Sequence, residues 1–150
     1  TRLSPGDILV SITADLGIVA VIPENIGEAY INQHIALVRL NSPKANSRFV
    51  GYFLASVLVQ NYITKLNDVG AKAGLNLSTI RGLLTVIPNI REQNNIVDHL
   101  DEAVNQALGS KLEIRKLQKI KTGLMQDLLT GQRRVTPELI RQVETLTGTA

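Results

Sequence analysis

The chain has 150 residues, 44% of them hydrophobic and 19% charged, with a net charge of +3, enough for one core or for a domain of about 90 residues with an appendage. It has no Cys and only two His, so disulfides and thiolate chemistry are excluded, and neither a metal centre nor a cofactor is expected. No stretch reaches the roughly 18 uninterrupted apolar residues of a membrane span, and "TRLSPGDILV" lacks the parts of a secretion signal. No membrane association is expected; the reading is a cytoplasmic protein whose chain begins inside a longer product.

In chain order, "GDILVSI" (6–12), "GIVAVI" (17–22) and "HIALVRL" (34–40) are β-branched runs separated by turn and loop chemistry, and predict three strands of a compact β-rich unit. From "ANSRFVGYFLASVLVQNYITKL" the period changes: Phe49, Phe53, Val57, Gln60 and Ile63, with Leu54, Leu58 and Tyr62 beside them, predict one helix of about four turns with Ser47 as N-cap. "GAKAG" (70–74) reads as an irregular loop, "LSTIRGLL" as a short helical turn with Ser78 at its start, and "LTVIPN" as a last strand closed by Pro88. The compact domain is expected to end near Ile90. The overall expectation is an α+β fold.

No proline occurs from Asn89 to Thr136, which permits one helix from about Arg91 to Leu128. Its positions Ile96, Leu100, Ala103, Ala107, Ser110, Ile114, Leu117, Lys121, Leu124 and Leu128 follow a 4,3 alternation, the seam of a coiled coil with a small middle. Charge is blocked along it: Arg91 against Glu92, Asp98, Asp101 and Glu102 nets −3, and residues 111–134 net +5. Antiparallel pairing sets acidic against basic, whereas parallel pairing sets like beside like. The alternative is a merely solvated charged face. Gly131 is placed to end the helix in a left-handed cap, and "TPELIRQVETL" predicts a short terminal helix with Thr136 as N-cap and Pro137 in its first turn, before a fraying "TGTA".

For catalysis the sequence offers little. Ser11, Asp15 and His34 invite comparison with a hydrolytic triad, but no G-x-S-x-G elbow accompanies them, and "GAKAG" lacks the G-K-[S/T] ending of a phosphate-binding loop. Nucleic-acid binding asks for less, namely Lys/Arg for phosphates and amide or hydroxyl side chains for base edges. Candidate contacts are Thr13, Asn32, Gln33, His34, Lys44, Arg48, Lys65, Lys72 and Asn76. Two of these carry a plainer reading: His34 as a satisfied strand-edge histidine, and Asn76 as the cap of "LSTI".

The order of "GDILVS", "LNLSTIRGLLTVIPNIREQ" and "KTGLMQDLLTGQRRV" resembles the DNA-specificity (S) subunit of type I restriction-modification systems, over nearly all of residues 2–135. The resemblance implies a non-catalytic subunit in which target recognition domains each read half of a split sequence in double-stranded DNA. Long helices pair antiparallel to space these domains. Methyltransferase subunits dock on it, and a motor and nuclease subunit joins for restriction. Residues 1–90 would be part of the second recognition domain, 91–130 the distal spacer helix, and 131–150 a tail with a short helix. Pro88, Glu92 and Gln93 of "IPNIREQ" occupy the family's Pro and Glu-Gln positions. Gly70 to Gly74 match a glycine-bearing loop that either positions DNA-contacting backbone or shapes the domain. A chain carrying one spacer is expected to pair with its own copy through Ile96, Leu100, Ala103, Ala107, Ile114, Leu117, Leu124 and Leu128.

Overall fold

In a computed structural model, residues 1–68, 75–138, 140, 141 and 143 are described. The chain divides into two compact units, Thr1–Asp101 and Glu102–Ala150. The "GAKAG" loop with Lys72, and the "TGTA" end, lie outside the described residues.

The first unit is built on a three-stranded antiparallel sheet of β1 (Ile8–Ser11), β2 (Val19–Val21) and β3 (Ile35–Val38), in the order β2-β1-β3. Each strand falls within one of the three β-branched runs. Ile8 faces Val21 on one side and Val38 on the other, and Val10 faces Val19 and Ala36. This register places Ile8 and Val10, the alternate residues of β1, on the buried face, where they are 0% and 1% exposed.

That face is covered by α1 (Ser47–Ala55) and α2 (Val57–Asp68), where the sequence predicts one continuous helix. The break falls at Ser56, whose φ/ψ of −65°/150° is extended. Two bonds hold it open: the Gln60 side-chain amide donates to the carbonyls of Leu54 (2.8 Å) and Gly17 (2.9 Å). The bend divides the predicted apolar face. Phe49, Val50, Leu54, Val59 and Ile63 are buried, while Val57, Leu58 and Tyr62 are exposed. The cap of α1 is Asn46 and not Ser47, because the Asn46 carboxamide oxygen accepts from the backbone N–H groups of Arg48 (2.8 Å) and Phe49 (3.2 Å).

Gly51 sets how closely α1 approaches the sheet, since a Cβ placed there would lie 2.5 Å from Val21 Cγ2. Gly51→Val is therefore expected to lower stability by about 1–3 kcal/mol through overpacking. Thermal melting at fixed concentration checks this, and an unchanged midpoint would show that β2 yields at no cost.

The short helix α3 (Leu77–Arg81) starts one residue before Ser78. The "LTVIPN" run (84–89) forms no strand: Leu84 and Val86 are exposed, and it is Leu83, just before the run, that packs on the core. Helix α4 (Ile90–Leu129) follows, 40 residues without interruption. Asn89 opens it by accepting the Glu92 N–H at 3.0 Å and donating to the Glu92 carboxylate at 3.3 Å. Gly131, at φ 73°, ends it, and the Arg133 N–H returns to the Asp127 carbonyl at 2.9 Å. Beyond it, the Ile140 N–H bonded to the Thr136 carbonyl marks a helical turn after Pro137.

Candidate nucleic-acid interface and helix junction

Five of the nine candidate contact residues gather at one end of the sheet. Ile12, just past β1, donates its N–H to the His34 carbonyl at 3.0 Å and accepts the Leu75 N–H at 3.1 Å. Those two bonds bring Thr13, the Asn32–His34 turn and Asn76 to one place. His34 is held from three sides. Its backbone N–H donates to Asn32 Oδ1 at 3.0 Å, Nδ1 lies 2.8 Å from Thr13 Oγ1, and Nε2 lies 3.1 Å from Gln33 Nε2.

Each ring nitrogen of His34 therefore has one side-chain partner, Thr13 at Nδ1 and Gln33 at Nε2. Asn32 and Gln33 are exposed and Thr13 is half-buried, so their polar side chains stand at the surface around His34. Asn76 is spent differently, for its carboxamide oxygen accepts from the Thr79 N–H (2.7 Å) and hydroxyl (3.0 Å) as the cap of α3. The capping reading of Asn76 is the one the geometry supports. Ser11 is not aligned with His34 as a nucleophile. Its hydroxyl donates to the Asp15 carbonyl and accepts the Ile18 N–H at 2.9 Å.

The other described cations lie elsewhere. Lys65 is exposed in the last turns of α2. Lys44 and Arg48 stand beside the start of α4, and Arg48 is already paired, 2.6 Å from Asp101 Oδ1. The same Asp101 oxygen accepts the Tyr52 hydroxyl at 2.6 Å, and that bond pushes the Tyr52 phenol above its ordinary value.

Sequence reasoning missed the residue at the centre of this junction. Gln93 is wholly buried. Its oxygen accepts the Asn46 N–H at 2.8 Å, and its amide donates to the carbonyls of Lys44 (2.8 Å) and Pro88 (2.7 Å). The position one helical turn before the buried Val97 was the available signal. Also missed was Asp7, 1% exposed at the opposite end of the sheet, which takes a two-pronged contact from Arg39 Nε and Nη2 at 2.7 Å each. Hydrogen bonding from Arg39 holds its carboxyl below the usual range against the opposing effect of burial, with a further bond from the Ser4 N–H.

All eight predicted seam residues of α4 are solvent-exposed along the helix, from Ile96 and Leu100 to Leu124 and Leu128. Near its C-terminal end Leu117, Ile120, Leu124, Met125, Leu128 and Leu129 line one apolar surface. No described helix is long and apolar enough to cross a membrane.

Among the described residues, the polar cluster at the sheet end and the exposed apolar seam of α4 are the two surface features that stand out. Residues 2–122 match the family described as the type I restriction modification DNA specificity domain, and the chain belongs to that family, which is non-catalytic. The fold is similar to that of the crystal structure of the HsdS subunit from Thermoanaerobacter tengcongensis. The TM-score is 0.64 at 18% identity, covering 91% of this chain and 37% of that one. The α+β class is therefore as expected, and the chain spans little more than a third of that subunit's length.

Proposed function

We propose that this chain reads one half of a bipartite sequence in double-stranded DNA and serves as a scaffold. In this reading α4 pairs antiparallel with a second spacer helix, or with its own copy, and offers its C-terminal apolar end to methyltransferase subunits. A motor and nuclease subunit would join only the complete assembly. The observation that carries the DNA reading is the surface cluster of Thr13, Gln33 and His34, whose hydroxyl, carboxamide and imidazole are the kinds of group that read base edges. Family membership supports it. Lys65, and Lys72 from the sequence, would supply phosphate contacts.

Duplex selection from a random library, followed by titration at several salt concentrations, tests this. Thr13→Ala and Gln33→Ala are each expected to reduce the preference for the selected duplex about tenfold with the salt slope unchanged. Lys65→Ala is expected to weaken all duplexes alike and reduce the slope by about one. The competing reading is an assembly module that pairs through α4 and does not bind DNA, and the exposed seam favours the pairing part of it. Binding of purified methyltransferase subunit without any salt-dependent duplex binding would select that alternative.

A further inference from the structure

We propose that Gln93 is a positioning residue, whose amide fixes the direction in which the first three turns of α4 lie on the recognition unit. The functional part of the inference rests on the DNA-reading proposal above. Within Thr1–Asp101, α4 meets the rest of the unit mainly along a stripe at intervals of four, Gln93, Val97 and Asp101, with Asn94 beside its start. Val97 is 4% exposed and sits in the core. An apolar contact of one side chain holds a helix close but is non-directional, so it leaves the helix free to swivel about that point.

Direction comes from the polar contacts on either side. Gln93 and Asp101 are eight residues apart, about 12 Å along the axis. Asp101 is held at the surface by Arg48, itself 58% exposed, and by Tyr52. Gln93 is held in the interior by three backbone groups from two separate segments, Lys44 and Asn46 on one side and Pro88 on the other. Asn46 then ties the same point to α1 by capping it, and to α4 again through Asn94 Oδ1 at 2.8 Å.

Only a carboxamide fits this site. Two carbonyls require two donors and one N–H requires an acceptor, which Gln supplies from one planar group. A glutamate of the same shape would set carboxylate oxygens against the Lys44 and Pro88 carbonyls. A methionine would take the side-chain partner from three partly buried backbone groups.

Because the chain has no Cys, spin labels can be placed at Ala20→Cys and His99→Cys, both exposed and both in the first unit. Pulsed electron-electron distance measurement is expected to give one narrow distribution for the parent. Gln93→Glu and Gln93→Met are expected to give distributions at least twice as wide, with the amide spectrum of the three strands retained. An unchanged width in both would overturn the proposal.

Should neither variant fold, amide exchange of Asn46 in the parent decides. Protection equal to that of the core amides supports the lock, and exchange through fast local opening rules it out. In the full chain, selection from a duplex library with two half-sites at varied separation is the functional readout. The parent is expected to keep one separation, and Gln93→Glu to keep the half-site bases while accepting neighbouring separations. Retention of a single separation by the variant would overturn the functional part. A parent that binds no duplex removes the DNA reading alone, since the distance measurement still judges Gln93.

Discussion

The Leu117→Lys/Leu124→Lys double variant is expected to sediment as a monomer at concentrations where the parent chain is a dimer, with Kd raised at least a hundredfold. Both leucines lie on the seam, 58% and 53% exposed. Burying a whole leucine side chain stabilises by roughly 1.5–3 kcal/mol, and about half of each remains to be buried. A two-fold axis presents each position twice, so four leucines are lost per dimer. Even the lower bound gives about 3 kcal/mol, which corresponds to somewhat more than a hundredfold in Kd. Gln126→Lys, off the seam on the same helix, is the control and should leave the mass unchanged. A parent that remains monomeric at micromolar concentration would dispose of the self-pairing proposal.

Orientation follows from charge, with one adjustment that the structure supplies. Asp101 belongs to the acidic block in sequence but is already paired with Arg48 and bonded by Tyr52. The acid free to meet a basic partner is therefore Glu92, Asp98 and Glu102, against Lys111, Arg115, Lys116, Lys119 and Lys121. Centring these blocks on each other places the symmetry axis near Ala107, where the small seam residues allow close approach. Asn95→Cys mixed with Gln118→Cys should then crosslink, while either variant alone should not. Self-crosslinking of each variant alone would mean a parallel pair.

Much of this fold was legible because its signals are local. Three β-branched runs became three strands, and a 40-residue stretch free of proline became one helix. The failures share a cause, which is that the deciding partner is distant in sequence. Ser56 carries no helix-breaking signal, and α1 ends there because Gln60 bonds to the Gly17 carbonyl, 43 residues away. "LTVIPN" has strand composition, but propensity alone makes no strand without a neighbour to pair with. The same holds at the site. Thr13 and His34 are 21 residues apart and met only through the register of β1 and β3. Gln93 was legible as part of "REQ" but not as a donor to a carbonyl 49 residues earlier.

Asp7→Ala should lower the melting temperature of the first unit by about 8 °C or more. Asp7 is 1% exposed, and its carboxylate takes both Arg39 contacts and the Ser4 N–H. Removing one partner from a buried pair costs about 3–5 kcal/mol when the other charge stays buried. Here the Arg39 side chain is 47% exposed and can turn to water, which reduces the cost to about 2–3 kcal/mol. For a unit of this size each kcal/mol is worth about 4–8 °C.

The pH dependence gives a second signature. Because the Arg39 hydrogen bonds hold the Asp7 carboxyl below its ordinary value in the folded chain, folding favours its ionised form. Its contribution is complete above the unfolded value of about 3.9 and is lost as pH falls through the folded value. The parent should lose stability on acidification below about pH 4, and Asp7→Asn, already uncharged there, should lose less over the same interval. Melting at fixed protein concentration from neutral pH downward checks both. Parallel curves for parent and Asp7→Asn would show that the pair with Arg39 contributes nothing to the acid limb.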